Sequence, residues 1–216
     1  MNRTEFVELH PELFHMAAGG AWSSIRRLGL LSTTAILDLA GIDGERRVGL
    51  EQQRRAKSVT LSIDSIDFVL RDQKPLSEEK LEQCLTDMTV GERLRMLNGK
   101  VFLWPTRQRC EELLNARAFR GFQHTIVEID TAALLERYDV LLSPINSGAT
   151  LFNPGPRGST TFTSIEDFPF DRYSKRGRVR AVAEVSVDYA IPDVAGLTTG
   201  LWRAQQDRWV PADPRA

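Results

Sequence analysis

The chain has 216 residues, enough for one substantial hydrophobic core, and 42% of them are hydrophobic. Lys and Arg number 28 against 29 Asp and Glu, so the formal net charge of −1 provides no global field that would indicate a nucleic-acid or membrane partner. Length and composition therefore indicate an ordinary globular protein, with one compact domain over residues 1–216.

The two cysteines, Cys84 and Cys110, have neither CxxC nor Cys/His spacing, which indicates reduced thiols and predicts no metal site. The first residues lack the basic-then-apolar pattern of a signal peptide, and no apolar run is long enough to span a bilayer. We therefore expect a cytoplasmic protein with no membrane partner. GxGxxG, Walker, GxSxG and HExxH motifs are absent, so no motif supports a dinucleotide-fold oxidoreductase, P-loop NTPase, serine hydrolase or zincin.

The predicted elements mix strands and helices without a regular order. Ser32 or Thr33 is the predicted N-cap of a helix that stops at Gly41, and alternation over residues 59–63 predicts a strand with one polar face. The same rules predict further strands at 13–17, 101–104, 124–129 and 138–142, and helices at 22–28, 78–85, 90–98 and 106–117. Because no βαβ alternation is visible, the sequence predicts an α+β fold.

Residues 180–189 form an apolar run that predicts a late strand, with a turn at residues 175–177 before it and Pro192 after it. Glu184 stands among valines in this run. Burying an unpaired carboxylate costs several kcal/mol, so this side chain must either face solvent or line a polar site. A solvent-facing residue on an edge strand and a site residue both agree with the pattern taken alone.

Residues 143–178 are rich in Pro, Gly and Asn, and a loop of this length in a compact domain is usually functional or disordered. Cations gather where the segment approaches Glu184, at positions Arg172, Lys175, Arg176, Arg178 and Arg180. They are either a solvated face or the contact for a phosphate-bearing acceptor. Residues 210–216 are expected to form a frayed tail.

Four motifs together carry a resemblance: residues 14–17 followed by 24–32, residues 53–55, residues 101–104, and residues 182–187. Their order resembles the ADP-ribosyltransferase fold, and within it the DarT-type DNA ADP-ribosyltransferases and the RNA 2′-phosphotransferases. The likeness that covers most of the chain, through His15, residues 102–104 and residues 143–148, is to a bacterial family of unknown function.

The resemblance implies a split pair of small antiparallel β-sheets with flanking helices, and NAD bound as a substrate in the cleft between the sheets. In that fold a His on the first strand reaches ribose hydroxyls, an Arg near the second strand holds phosphates, and a Glu at the start of a late strand assists transfer. These roles would fall on His15, on Arg54 or Arg55, and on Glu184. Residues 153–178 would be the substrate-recognition loop.

The chemistry of these side chains agrees with the implied roles. An imidazole can donate to a ribose oxygen, an Arg fork matches a pyrophosphate, and a carboxylate can stabilise a ribosyl cation or take a proton. We expect the Glu184 carboxylate to be partly exposed and ionised in the cleft, with Glu128 as the alternative catalytic acid. Trp104 is either a core aromatic or a ring that stacks on nicotinamide.

The leading interpretation is an NAD-dependent transferase that places ADP-ribose on a nucleic acid, a base or a protein. Gly19 and Gly20 stand where a polar contact to NAD would be useful, and this departure keeps a catalytically silent nucleotide- or partner-binding member of the fold as an alternative. A third interpretation is an NAD-independent enzyme that processes nucleic-acid bases. It is favoured by Arg172, Arg176 and Arg178 as contacts for a DNA or RNA acceptor.

Overall fold

The computed structural model describes residues 1–151 and 154–215, which form an α+β fold. The helices are α1 (Arg3–Leu9), α2 (Trp22–Leu28), α3 (Thr33–Leu39), α4 (Gly44–Glu51), α5 (Glu78–Cys84), α6 (Val90–Asn98), α7 (Arg107–Asn115), α8 (Thr131–Arg137) and α9 (Lys175–Ala181). The strands are β1 (Glu12–Ala18), β2 (Leu30–Leu31), β3 (Val59–Ile63), β4 (Ile66–Leu70), β5 (Lys100–Leu103), β6 (His124–Asp130), β7 (Val140–Ser143), β8 (Glu184–Asp188), β9 (Ala190–Ile191), β10 (Thr198–Gln205) and β11 (Arg208–Pro211).

The strands form several small antiparallel sheets. A four-stranded sheet has the order β1-β6-β10-β11 and a three-stranded sheet the order β5-β8-β7, while β3 pairs with β4 and β2 with β9. The α+β class with small antiparallel sheets, as predicted from the sequence, is confirmed.

The two larger sheets meet at one point of backbone contact. Phe14 in β1 donates its N–H to the carbonyl of Trp104, which follows β5, at 3.0 Å, and Trp104 donates back to Phe14 at 2.7 Å. The largest cluster of buried apolar side chains takes members from both sheets and from α2, including Val101, Val127 and Val185. Burial of these faces against one another is the main stabilising contribution, at roughly 25 cal/mol per Å² of apolar surface.

Capping residues begin the helices as their chemistry requires. Ser32 accepts a hydrogen bond from the N–H of Ala35 at 3.1 Å to start α3, and Thr89 and Glu92 form a reciprocal capping box at the start of α6. Gly29 ends α2 with φ +83°, and a Cβ there would lie 2.4 Å from the carbonyl oxygen of Ile191. Only glycine fits this position, because the turn needs both the left-handed region and close backbone approach.

The strand predicted over residues 180–189 is wrong in its first part. Residues 175–181 form α9, whose N-cap Ser174 accepts from the N–H of Gly177, and the strand begins only at Glu184. The turn predicted at residues 175–177 is likewise the first turn of this helix. The Ser N-cap and the Lys, Arg and Ala residues of the segment favour a helix over the short apolar run that suggested a strand.

The recognition loop predicted over residues 153–178 includes 3-10 turns, a bridge from Thr163 to Leu142, and the first residues of α9; its first residue, Asn153, lies outside the described residues. Its role in recognition stays a prediction. One further expectation needs correction. The tail predicted to fray at residues 210–216 is ordered as far as it is described: β11 runs to Pro211, and the indole N–H of Trp22 donates to the Pro214 carbonyl at 2.8 Å. Ala216 lies outside the described residues.

No helix within residues 1–151 and 154–215 has the length and apolar character needed to cross a bilayer.

Candidate functional site

A cleft of about 350 Å³ lies between the β3–β4 hairpin, the end of β1, α2 and β5. Its walls include His15, Arg55, Arg71 and Phe102, together with Ser24 and Ile25 of α2 and residues 29–33. We call it the His15 cleft. Its volume falls in the range of about 300–1,000 Å³ that is usual for small-molecule sites.

The imidazole of His15 has a defined tautomer. Its Nδ1 lies 2.9 Å from the carbonyl oxygen of Phe102, and since a carbonyl only accepts, Nδ1 carries the hydrogen and donates it. Burial lowers the pKa of His15 to about 4, so the ring is neutral at pH 7. Nε2 therefore remains for a ligand as a hydrogen-bond acceptor, which suits a hydroxyl donor.

Arg71 is the cation of the His15 cleft that sequence analysis missed. It directly follows β4, and its guanidinium lies 5.2 Å from the centre of the Phe119 ring and donates to Nδ1 of His124 at 3.3 Å. The neighbouring carboxylate of Asp72 is paired with Lys74 instead, at 3.0 Å. Burial lowers the pKa of Arg71, but a guanidinium stays charged at any physiological pH, so the charge of Arg71 favours an anionic ligand.

The structure brings Arg55, but not Arg54, to the cleft. The guanidinium of Arg55 donates to the carbonyls of Leu50 at 2.5 Å and Arg71 at 3.1 Å, and to the side-chain oxygen of Asn98 at 2.9 Å. These bonds make Arg55 mainly a brace for the chain on either side of the β3–β4 hairpin. Arg54 is not a wall residue of the cleft, since its Nε donates to the Leu76 carbonyl at 2.7 Å.

Trp104 and Glu128, two other residues singled out in the sequence, lie away from the cleft. The Trp104 ring packs against the buried cluster that contains Phe14 and Cys110, which is the core alternative. Glu128 pairs with Phe14 in the sheet, so its side chain lies on the face opposite to His15. There its Oε2 accepts from the indole N–H of Trp202 at 2.8 Å.

Glu184 is buried, with 5% of its surface exposed, and it is not among the residues that line the His15 cleft. Its Oε2 accepts two hydrogen bonds from Ser147, from the backbone N–H at 3.0 Å and from Oγ at 2.5 Å. Ser186 of β8 pairs with Phe102, which lines the cleft. Glu184 precedes Ser186 by two residues, so it lies about 7 Å from Ser186 at the usual rise per residue of a strand. The expectation of a partly exposed carboxylate in the cleft is therefore wrong.

The charges around Glu184 are also buried. Burial raises the pKa of the Glu184 carboxyl, while the two bonds from Ser147 and the positive charges of Arg93 and Arg157 act in the opposite direction. Arg93 is 0% exposed, and burial lowers its pKa to about 10. Loss of hydration thus disfavours the charged form of Glu184, and its hydrogen bonds and cationic neighbours favour that form.

Arg157 fixes the backbone that covers Glu184. It donates to the carbonyls of Asn146 at 3.1 Å, Ala149 at 2.7 Å and Gly155 at 2.9 Å, while Arg93 donates to Gly158 at 3.2 Å. These bonds hold the segment that contains Ser147 against the three-stranded sheet. The arrangement is a closed polar cluster beside the cleft rather than a part of its wall.

The arginines that the sequence suggested as contacts for a nucleic-acid acceptor lie on or next to α9. Arg172 and Arg176 are exposed and Arg178 is half-buried, and none of the three lines the His15 cleft. Helix α9 is tied to α7, where Arg109 donates to the carbonyl of Arg180 at 3.1 Å. The cations therefore form a surface feature adjacent in sequence to β8.

Within residues 1–151 and 154–215, no three His, Cys, Asp or Glu side chains are grouped as metal ligands would be. Cys84 and Cys110 are free thiols.

Comparison with known proteins identifies the family. Residues 11–198, from just before β1 to the first residue of β10, match the model of a "Family of unknown function (DUF7002)". A search of curated proteins finds no match. Since the match covers most of the chain, the protein belongs to the DUF7002 family.

Proposed function

We propose that the protein is an NAD-dependent ADP-ribosyltransferase that binds NAD in the His15 cleft. The observation that carries the proposal is the pairing, in one cleft, of a neutral His15 with Arg71, a half-buried cation whose neighbouring carboxylate is paired elsewhere. A neutral imidazole with a bare Nε2 accepts from a sugar hydroxyl, and a guanidinium fork matches phosphate oxygens. A dinucleotide carries both groups.

In the proposed reaction the bond between nicotinamide and C1 of its ribose breaks, and nicotinamide leaves with the bonding electron pair. An acceptor nucleophile forms the new bond to C1 and loses a proton to a base. Glu184 is the proposed carboxylate for this step, because it begins β8 beside the cleft. Transfer then requires Ser147 to release Oε2 and the segment that contains it to move aside.

A second function is favoured by a specific observation. Glu184 is buried beneath Ser147 and does not reach the cleft, so the same geometry supports a catalytically silent protein that binds a nucleotide without cleaving it. Both functions predict NAD binding through His15 and Arg71, and they differ only in the release of nicotinamide.

The test combines thermal melting with a nicotinamide assay. NAD at a hundred times its Kd should stabilise the native protein by about 2.7 kcal/mol. His15→Ala and Arg71→Met should reduce this stabilisation, while Arg172→Met, a matched control on the surface, should leave it unchanged. Stabilisation with nicotinamide release supports the transferase, and stabilisation without release supports the silent binder. The absence of any NAD effect would reject the transferase and a silent binder of NAD.

A further inference from the structure

A second cavity, of about 430 Å³, adjoins the His15 cleft. The two share Ala18, Val69 and Arg71, and the second is completed by residues between α7 and β6, including Phe119 and Phe122. We call it the Phe122 pocket. Its walls combine aromatic rings with cations, a composition typical of sites that bind bases and phosphates.

The aromatic part of the Phe122 pocket faces outward. Phe122 is 65% exposed, which leaves most of a large apolar ring open to water. Phe119 is half-buried and is covered by the Arg71 guanidinium, 5.2 Å from its ring centre. An exposed phenyl ring at the rim and a flat guanidinium inside are both surfaces on which a planar heteroaromatic ring can stack.

His124 fixes the orientation of Arg71 in this pocket. Its Nε2 lies 3.0 Å from the Phe119 carbonyl and must donate, so its Nδ1 accepts the hydrogen bond from Arg71 at 3.3 Å. Burial lowers the pKa of His124, which keeps this tautomer neutral. The remaining N–H groups of Arg71 are therefore held in a fixed plane, ready for an anion.

The charge of the Phe122 pocket is positive. Arg71 and Lys74 line it together with the single carboxylate of Asp72. Further cations stand next in sequence to lining residues and are exposed: Lys57, Arg117 and Arg120. An anionic ligand is thus favoured electrostatically.

We infer that the Phe122 pocket binds a nucleotide, with the base stacked on Phe122 and the phosphate held by Arg71. A free mononucleotide and an unpaired nucleotide in a single strand share this chemistry. The inference goes beyond the proposed function and does not depend on NAD binding in the His15 cleft.

The probes are AMP, adenosine, inorganic phosphate and a fluorescently labelled single-stranded DNA octamer. Wild-type protein should bind AMP, the octamer or both, and should bind adenosine and phosphate more weakly. Phe122→Ala should weaken binding about 5- to 150-fold, the range for loss of one base–aromatic stack. Phe122→Trp should retain affinity. Phe122→Leu, which keeps an apolar side chain without the ring, should behave like the alanine variant.

The source of the nucleotide follows from which probe binds. Binding of AMP with little gain for the octamer indicates a free nucleotide, whereas tighter octamer binding with a steep salt dependence indicates a nucleic acid strand. Two results would overturn the inference. One is unchanged affinity for every probe in Phe122→Ala; the other is loss of binding in His15→Ala with retention in Phe122→Ala, which would assign the base to the His15 cleft.

Discussion

Ser147 donates both its backbone N–H and its hydroxyl to one oxygen, Oε2, of Glu184, although 37 residues separate the two in the chain. Glu184, the main candidate from the sequence, is therefore hydrogen-bonded to Ser147, a residue that was not a candidate. This contact sets both the stability of the protein around β8 and the accessibility of the proposed catalytic group.

Glu184→Gln should preserve the fold, and the stability of the variant relative to wild type should increase as the pH rises. Burial raises the folded-state pKa of Glu184 above its unfolded value, so the wild type loses stability as the pH rises through the interval between the two values, and the variant does not. Urea unfolding of both proteins at pH 5 and pH 8 measures the difference. If the stability of the variant relative to wild type fell between pH 5 and pH 8, this prediction would be contradicted.

Ser147→Ala should destabilise the protein by about 1–3 kcal/mol, because it leaves a buried carboxylate with one hydrogen bond fewer. Ser159→Ala is a suitable control, since the Ser159 hydroxyl bonds to an exposed carboxylate, Asp87, and should cost less. If Glu184 is catalytic, Ser147→Ala should also raise its reactivity, measured as nicotinamide release per bound NAD.

His15 should make the protein less stable in mild acid. Its folded pKa of about 4 lies below the unfolded value of 6.5, so the unfolded chain takes up the proton first and stability falls as the pH drops from 6.5 towards 4. His15→Gln should remove a share of this loss on the order of 2 kcal/mol. Urea unfolding at pH 7.5 and pH 4.5 tests it, and His10 and His124, whose pKa values are also lowered, contribute to the slope that remains.

Gly29→Ala should be much more harmful than Gly20→Ala. Both glycines have positive φ, +83° and +79°, so both variants carry backbone strain of about 1 kcal/mol. Only at Gly29 would the new Cβ also lie 2.4 Å from the backbone of Ile191 and Pro192, whereas nothing lies within 4 Å at Gly20. Thermal melting should therefore separate the two by several °C, and equal melting temperatures would contradict the close approach.

The ends of several helices could be predicted from the sequence because their signals are local. Ser32 caps α3, as predicted, and Gly29 ends α2 and Thr89 caps α6 at the bounds predicted for those helices, since each residue acts on backbone groups within a few positions. Of the β3–β4 hairpin, only β3 was predicted from the sequence, although the signal for the hairpin is also local. Asp64 and Ser65 connect two alternating runs as a two-residue turn with positive φ at both positions, and that turn predicts β4 and thereby places Arg71.

The candidate site itself depends on contacts that no local pattern encodes. His15 and Arg55 both line the cleft, but the Arg55 guanidinium bonds to Asn98 and to backbone carbonyls. The burial of Glu184 follows from Ser147 and from the fixed segment around it, which depend on tertiary packing. The elements α1, α4 and β10 were not predicted for a different reason: polar residues within them obscure the apolar period.

The last described residues are bound to the back of a cleft wall. Ser24 and Ile25 of α2 line the His15 cleft, while Trp22 and Arg26 of the same helix donate to the carbonyls of Pro214 and Arg215, at 2.8 and 2.6 Å. Proteolytic cleavage within residues 212–215 must first break these bonds. The rate of that cleavage therefore reports on how stably α2 is held, and a cleft ligand that stabilises the helix slows cleavage at a point far along the chain.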